Sequence, residues 1–597
     1  MLSPFIITPY SYTPKQYGEN GEVEYGWSNN IKELILQFYF QLTRTDEKKI
    51  ELLENKLTDI LYYLINNIKL DISYTHLDID DSFKNKYIDY MILLYKIIGN
   101  TRDIVNGKGE YMLTYMMISV WYDFFPELSF NALHSLNCPI LNSLPYGSWK
   151  DMKYFCQYIK LKKKNEEHPL IKECIQIINS QLTIDVDVYH SKTSSSRISL
   201  VSKWIPREKS KKFGWLFSYL AYHFFHHYIK SAKTQFSLIN ARLKCKIQYR
   251  KIISKLNKQL DTLEINQCSN NWSKIDFNKV TSISLNKQTN SFLNNNKSIQ
   301  EDRLICEENF KKYIKEIQTN DKDIKGKKIS LNEFTKNALN IIKEKNKNNG
   351  IYNEKLLLKK DLLNLQWNNY SKDINNLGNI IPIIDLSSSM AGEPLNTAIS
   401  LGILVAEKSI LHKRIMILTS NPKWIILTEK NNFVDYVEEI INCEYELNTN
   451  FYSIIDIFLN SIIDSKMDET SISEMKIIIF SDMQVDNLNN IHDTIYEKIK
   501  KKYIDIGLKI YKKPIEIPKI IFWNLRSTNG FPSLSCQHNV SMLSGFNACF
   551  LNLFWKKSLN ISKENTSFSL LKKILSNKRY NILENKAREV LCNYDVY

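Results

Sequence analysis

The sequence predicts a multidomain protein in which an N-terminal α-helical half is joined to a C-terminal α/β domain with a doubly wound sheet. Up to about residue 345, apolar residues recur mainly at helical spacing, and the helical runs are separated by short loops. From about residue 376, short β-branched runs alternate with helical runs, as at 380–384 and 393–409. Alternating strands and helices predict a mostly parallel sheet that is covered by helices on both faces.

The predicted organisation has five parts. An irregular Tyr- and Pro-containing segment comes first, and a helical-repeat, HEAT-like domain follows it, although the helices show no clean fixed period. A linker or connecting helix leads to the α/β domain, and a basic helical extension that docks back on the first domain ends the chain. The predicted ranges are 1–28, 29–345, 346–375, 376–557 and 558–597.

Composition favours a polyanionic partner. The 597 residues allow two to four domains, and the formal net charge is +16. Excess positive charge favours nucleic acid first among partners. The chain is also rich in Lys, Asn and Ile, a bias that an AT-rich genome produces without any functional reason. Both interpretations of the charge stay open.

Cysteine usage and hydropathy indicate a reducing compartment and no membrane partner. The ten Cys are scattered, and no Cys-x-x-Cys or zinc-type Cys/His spacing occurs. The first residues lack a charged region followed by a long apolar run, and no window approaches 18 uncharged apolar residues. We therefore expect a cytoplasmic protein, with association with a virion as an alternative.

A candidate metal site follows the strand at 380–384. Asp385, Ser387 and Ser389 alternate on the loop between this strand and the next helix, so their side chains can converge on one point. In open α/β sheets, ligands bind at this end of the strands. Carboxylate and hydroxyl oxygens are hard ligands that suit Mg²⁺ or Mn²⁺. The alternative is a buried strand followed by a serine helix cap.

Two later segments extend this pattern. Thr449 lies on a loop before a helical run at 452–459, and Asp482 follows a second buried strand at 476–480. The order of these segments resembles the von Willebrand factor A domain. The resemblance implies a metal-ion-dependent adhesion site with five oxygen ligands from three segments: Asp385, Ser387, Ser389, Thr449 and Asp482. The sequence departs from the usual pattern at Ser388 and Asn450, where Gly and Asp are usual.

A basic helix in the first half is a candidate RNA-binding element. Its cations are interleaved with an aromatic residue, a combination that suits phosphate contacts and base stacking. The candidate residues are Arg242, Lys244, Lys246, Tyr249, Arg250 and Lys251, with Lys108, Lys150, Lys203 and Arg207 from earlier motifs. A solvated helix face is an equally good interpretation of this run.

Motifs along nearly the whole chain resemble an uncharacterised family found in plants, fungi and large DNA viruses. That family is similar to the Ro autoantigen, which joins a helical-repeat (TROVE) ring to a von Willebrand A domain. The resemblance implies RNA binding on basic outer surfaces and through a central hole. The motifs are Gly107–Glu110, Tyr146–Asp151, Lys203–Pro206, Tyr249–Lys251, Trp272–Phe277, Gln366–Trp367, Asp385–Ser389 and Phe522–Arg526.

The residues contain no nucleophile–base set, so we expect a protein that is not an enzyme. The first hypothesis is a non-catalytic RNA-binding scaffold whose Mg²⁺ (or Mn²⁺) accepts a carboxylate from an acidic protein partner. The second is a protein-interaction or structural component, viral in origin or not, without specific RNA binding. A metal-dependent hydrolase is a third, weaker alternative.

Overall fold

The structure is a computed structural model of the chain. It describes residues 13–73, 82–138, 140, 144–191, 197–295, 297–320, 326, 328–419, 422–429, 431–443, 451–465, 467–484, 493–554 and 566–592.

The N-terminal segment contains a hairpin, so the prediction that residues 1–28 are irregular is wrong for its described part. Strands β1 (Lys15–Tyr17) and β2 (Val23–Tyr25) pair antiparallel. Tyr25 also exchanges backbone hydrogen bonds with Phe531, which lies more than 500 residues further along the chain. The pairing depends on a distant segment, and local sequence patterns carry no information about such a partner.

Helices make up the rest of the described chain as far as Ser371. Several begin at a residue whose side chain caps the first turn, as Asn30 does for the first helix. They are α1 (Ile31–Gln41), α2 (Glu47–Ser73), α3 (Ser82–Arg102), α4 (Tyr111–Phe124), α5 (Pro126–Ser135), α6 (Trp149–Lys163), α7 (Pro169–Ser191), α8 (Val201–Trp204), α9 (Gly214–Phe224), α10 (His226–Lys230), α11 (Gln235–Gln259), α12 (Leu263–Cys268), α13 (Ser282–Phe292), α14 (Glu301–Asn320), α15 (Leu331–Lys347) and α16 (Glu354–Ser371).

The remaining elements form a mixed six-stranded sheet and its helices. They are β3 (Ile380–Asp385), α17 (Glu393–Lys408), β4 (Arg414–Leu418), β5 (Lys423–Ile426), α18 (Phe433–Ile441), α19 (Phe451–Asp464), α20 (Glu469–Glu474), β6 (Lys476–Ser481), α21 (Ile495–Ile510), β7 (Lys519–Asn524), β8 (Val540–Ser544), α22 (Ser567–Leu575) and α23 (Asn581–Cys592).

The strand order is β5-β4-β3-β6-β7-β8, and every neighbouring pair is parallel except β4–β5. Asp385 lies opposite Leu418, and Ser481 lies opposite Asn524, which in turn lies opposite Ser544. The carboxyl ends of the five parallel strands therefore meet at one edge of the sheet. The coarse prediction, a helical half followed by a mostly parallel α/β unit, is confirmed.

Both faces of the sheet are covered by helices. On one face, α17 approaches β3 so closely that a Cβ at Gly402 would lie 2.3 Å from Cδ1 of Ile384. On the other face, Ile383 packs toward α19 and α21, where it lines a small apolar gap with Ile454 and Ile499. Neighbouring β3 residues thus face opposite helix layers, as the alternation along a strand requires.

One hydrophobic core runs through both halves of the described chain, from Tyr25 to Leu591. A smaller cluster joins residues between Ile275 and Ile317 to Leu358 and Leu362 of α16. The predicted domain boundaries stay predictions, since packing continues across the region where the helical half meets the sheet.

The final helices lie against the first helices of the chain. α22 contacts α1 and α3, and α23 contacts α3 and α5. A buried ion pair fixes this contact: Nε and Nη2 of Arg579 lie 2.8 and 2.9 Å from the Asp103 carboxylate. No helix in the described part of the chain is long and apolar enough to cross a membrane.

Candidate functional site

Asp385 ends β3, and its carboxylate is buried at the carboxyl edge of the sheet. The backbone N–H of Ser387 donates to Oδ1 of Asp385 at 2.8 Å. The hydroxyl oxygens of Ser387 and Ser389 lie 2.9 Å apart, while Ser388 is exposed. The alternation predicted for this loop therefore places three oxygen-bearing side chains on one side of it.

Asp482 comes to the same place from the neighbouring strand β6. Ser481, the last residue of β6, donates its hydroxyl to Oδ2 of Asp385 at 2.6 Å. The Asp482 side chain is fully buried, and Oδ1 accepts the backbone N–H of Gln484 at 3.0 Å. Burial, and secondly the charge of Asp482, raise the pKa of Asp385 to about 6. The two buried carboxylates therefore lie at the ends of neighbouring strands and interact electrostatically.

The structure brings together Asp385, Ser387, Ser389 and Asp482 from the predicted set of metal ligands. Thr449, the fifth predicted ligand, lies outside the described residues. Ser481 was not predicted, although its place one residue before Asp482 at the end of a strand could have indicated it.

Arg526, two residues beyond β7, occupies one side of this site. Its Nε donates to Oδ2 of Asp482 at 2.8 Å, and its Nη2 donates to Oε2 of Glu19 at 2.7 Å. The two carboxylates raise the pKa of Arg526 despite its partial burial. The contact of Arg526 with Glu19 of the β1–β2 turn joins residues about 500 positions apart.

The helical half also reaches this edge of the sheet. Arg44, which follows α1, donates to Glu393 at 2.7 Å and to Glu110 at 3.2 Å, and its guanidinium lies over the Phe546 ring. Lys49 of α2 donates to the carbonyl oxygen of Ser527 at 2.6 Å. The carboxyl edge of the sheet therefore lies against the helical half and is not open to solvent all round.

The donor set fits a small hard cation. Two buried carboxylates repel one another at neutral pH, and a divalent cation between them would remove that repulsion. No group of three or more His, Cys, Asp or Glu side chains suitable for a metal occurs in the described ranges. Asp385, Ser387, Ser389 and Asp482 are the described side chains that would hold Mg²⁺ together with water.

The second candidate site is the outer face of α11. Its 25 residues include seven Lys or Arg and no Asp or Glu. The guanidinium of Arg242 and the ammonium of Lys246 lie within 6 Å of the Tyr222 ring centre, and Lys244 lies 4.1 Å from that of Tyr228. These cations and half-buried rings form a continuous basic and aromatic surface.

The remaining candidate cations are more dispersed. Lys150 is exposed and lies over the Tyr154 ring, and Arg207 and Lys251 are exposed. Lys203 pairs with Glu264 at 3.1 Å, and Arg250 pairs with Glu208 at 3.2 Å. These two ion pairs reduce the positive charge available to an anionic ligand.

Two residues of the predicted RNA-binding set are buried and do not belong to a surface. Lys108 donates to the carbonyl oxygen of Leu42 at 2.9 Å and to the Ser544 hydroxyl at 2.6 Å. Tyr249 lies on the inner face of α11, where its hydroxyl donates to Oδ1 of Asn179 at 3.0 Å. The prediction is wrong for both, because Lys108 joins α1 to β8 and Tyr249 packs in the core.

Together the fold and the two sites define a protein that combines a basic helical half with an α/β sheet carrying an oxygen-rich edge. Residues 157–380 match a family described as Domain of unknown function (DUF2828). Residues 379–590 match another, described as Domain of unknown function (DUF7788). The two matched regions meet at the start of β3. The DUF7788 match includes the sheet, α22 and most of α23.

One protein with a similar sequence comes from a virus. "Uncharacterized protein L728" of Acanthamoeba polyphaga mimivirus is 26% identical to this chain over 564 residues. The aligned region covers 90% of this chain and 84% of the viral protein. The similarity therefore extends through both the helical half and the sheet.

Proposed function

We propose that the protein is a non-catalytic RNA-binding scaffold with a Mg²⁺-dependent adhesion site for a carboxylate of a partner protein. The observation that carries the first part is the outer face of α11, where cations lie beside aromatic rings and the helix itself contributes no Asp or Glu. Cations contact phosphates, and aromatic faces stack on unpaired bases.

The adhesion site is proposed for the edge where β3 and β6 end. The resemblance of the loop at 385–389 to the von Willebrand A domain supports it, as do the adjacent buried carboxylates of Asp385 and Asp482. Mg²⁺ at this edge would keep one coordination position open for an external oxygen, because few protein ligands surround it. A Glu or Asp of an acidic partner protein would supply that oxygen.

The RNA proposal is tested by fluorescence anisotropy with a labelled single-stranded RNA and a labelled RNA hairpin. We expect the affinity to fall steeply between 50 and 200 mM salt, with a slope of roughly 0.7 per phosphate contact on single strands. Replacing Arg242, Lys244, Lys246 and Lys251 by Ala should weaken binding and flatten this slope.

Lys336→Ala removes one exposed charge on α15 and is the matched control for Lys244→Ala, which removes one exposed charge from α11. RNA affinity that is independent of salt, or that is equal in the quadruple variant and the control, contradicts the proposal.

A second candidate function is protein interaction without specific RNA binding, and one observation favours it. Four apolar side chains lie along the exposed face of α11 at helical spacing, namely Phe236, Ile239, Leu243 and Ile247, with Phe236 75% exposed. A row of exposed apolar residues on a helix indicates a contact surface for another protein. A partner that EDTA releases, together with an absence of RNA binding, would favour this function.

A further inference from the structure

The outward face of α11 carries an apolar row along its centre. The four side chains of this row are between 42% and 75% exposed: Phe236, Ile239, Leu243 and Ile247. At about 100° per residue, they point within a sector of about 80° around the helix axis. The buried side chains of α11 lie on the opposite side of the helix: Cys245, Tyr249 and Leu256. The apolar row therefore projects directly away from the protein.

Positive charges border this apolar row on both sides. The same helical geometry places Lys244 and Lys251 on one side of the row, and Arg242 and Lys246 on the other. Of the seven Lys and Arg of α11, only Arg250 forms an ion pair within the described part of the chain. The tyrosine rings beside Arg242, Lys244 and Lys246 attract these cations without neutralising them. The row therefore lies between two lines of uncompensated positive charge.

An anionic lipid surface matches both features of this face at once. RNA would contact the cations and rings, but it would leave the apolar row in water. A protein partner would cover the row, but it would need acidic residues along both borders. At a lipid surface, the apolar side chains enter the boundary between headgroups and acyl chains, and the long basic side chains reach the anionic headgroups. A row on the outer side of a helix also suits a flat surface.

We propose that α11 binds the surface of an anionic lipid bilayer, with Phe236 and Leu243 inserted below the headgroups. The helix would lie on the membrane and not cross it, as its charges require. A search for uncharged apolar runs misses such a face, because the residues of the row are three or four positions apart. This function goes beyond the RNA-binding proposal, although it uses the same helix.

The test is co-sedimentation of the full-length protein with lipid vesicles. The protein should bind phosphatidylcholine vesicles that contain one third phosphatidylserine, and it should bind pure phosphatidylcholine at least tenfold more weakly. The variant Phe236→Gln/Leu243→Gln should lower binding to the mixed vesicles at least tenfold and keep its RNA affinity. Leu52→Gln/Leu508→Gln is the matched control, since these leucines of α2 and α21 are 58% and 49% exposed. Circular dichroism checks that every variant is folded.

The contribution of charge is tested separately. Lys244→Ala/Lys246→Ala should weaken binding to the mixed vesicles by about fivefold for each lysine at low salt, whereas Lys336→Ala/Lys343→Ala on α15 should leave it unchanged. Equal binding to both vesicle types, binding to neither, or unchanged binding by Phe236→Gln/Leu243→Gln overturns the inference. Binding to neither would leave RNA or a protein as the ligand of this face. Vesicle binding without RNA binding supports the inference and contradicts the proposed function alone.

Discussion

Arg526 and Asp482 form an ion pair at the carboxyl edge of the sheet, with Nε of Arg526 2.8 Å from Oδ2 of Asp482. The same guanidinium holds Glu19 from the β1–β2 turn. Arg526 therefore neutralises one carboxylate of the proposed metal site and connects it to the N-terminal hairpin. A cation at the proposed site would compete with this arginine for the same oxygen.

Replacing Arg526 by Ala should raise the affinity for Mn²⁺, on the order of tenfold, because a nearby positive charge and a competing donor are both removed. The measurement is the loss of the free Mn²⁺ signal in electron paramagnetic resonance during a titration. Asp482→Asn and Asp385→Asn should each abolish binding. Arg242→Ala, far along the chain on α11, is the control for the lost charge, and unchanged or weaker Mn²⁺ binding by Arg526→Ala would contradict the competition.

Lys108 and the α11 cations should respond differently to substitution. Lys108→Met removes hydrogen bonds to Leu42 and Ser544 in the core, and it should lower the free energy of unfolding by about 1–3 kcal/mol. RNA affinity per folded molecule should stay as in the unaltered protein. Lys244→Ala should instead lower the RNA affinity and leave the free energy of unfolding unchanged. Chemical unfolding and RNA anisotropy on the same samples measure both quantities for both variants. Reduced RNA affinity in folded Lys108→Met would contradict the prediction and show that Lys108 takes part in RNA binding.

The ion pair between Arg579 and Asp103 should be a main support of the C-terminal helices. Both side chains are buried, so Arg579→Met leaves a buried carboxylate without its partner, which costs about 3–5 kcal/mol. The midpoint of urea unfolding measures this loss. Arg588→Ala removes a half-exposed pair with Glu584 and should change stability by no more than about 1 kcal/mol. Equal effects of the two substitutions would show that burial of the first pair has no energetic consequence.

Glu407 should make stability depend on pH. Burial raises its pKa to about 6 although the Trp367 indole donates to its carboxylate at 3.0 Å. The folded state then keeps a proton that the unfolded state releases above about 4.5, so stability falls as the pH rises through 6. Glu407→Gln should remove this fall and stabilise the protein at pH 7 by up to about 2 kcal/mol. Parallel unfolding curves between pH 4 and 7.5 test this, and the same slope in both proteins would contradict it.

The strands of the α/β half could be predicted because the residue patterns that indicate them are local. Runs such as 380–384 and 476–480 are β-branched and end in a polar residue, which is the pattern of a buried parallel strand followed by a loop. The convergence of Asp385, Ser387 and Ser389 follows from the alternation along the chain alone. Two other predictions were not confirmed. The N-terminal segment, predicted to be irregular, forms a hairpin, and the predicted ligand Thr449 lies outside the described residues.

Burial of charged residues could not be predicted in the same way. Lys108 and Lys244 both belong to the predicted RNA-binding set, yet Lys108 is enclosed between α1 and β8, whereas Lys244 is exposed. The difference depends on which distant segment packs over the residue, and the local sequence does not specify that segment. The contact of Arg526 with Glu19 likewise joins segments that have no common pattern.

The sequence by itself therefore determined that a helical half precedes a mostly parallel sheet, and with it the carboxyl edge at which Asp385 and Asp482 lie. These depend on periodicity and on the direction of parallel strands, which are properties of neighbouring residues. Only the tertiary structure decided that Arg526 neutralises Asp482 and that the Lys108 side chain is buried. Long-range packing fixes charge and accessibility, and its partners are separated by hundreds of residues.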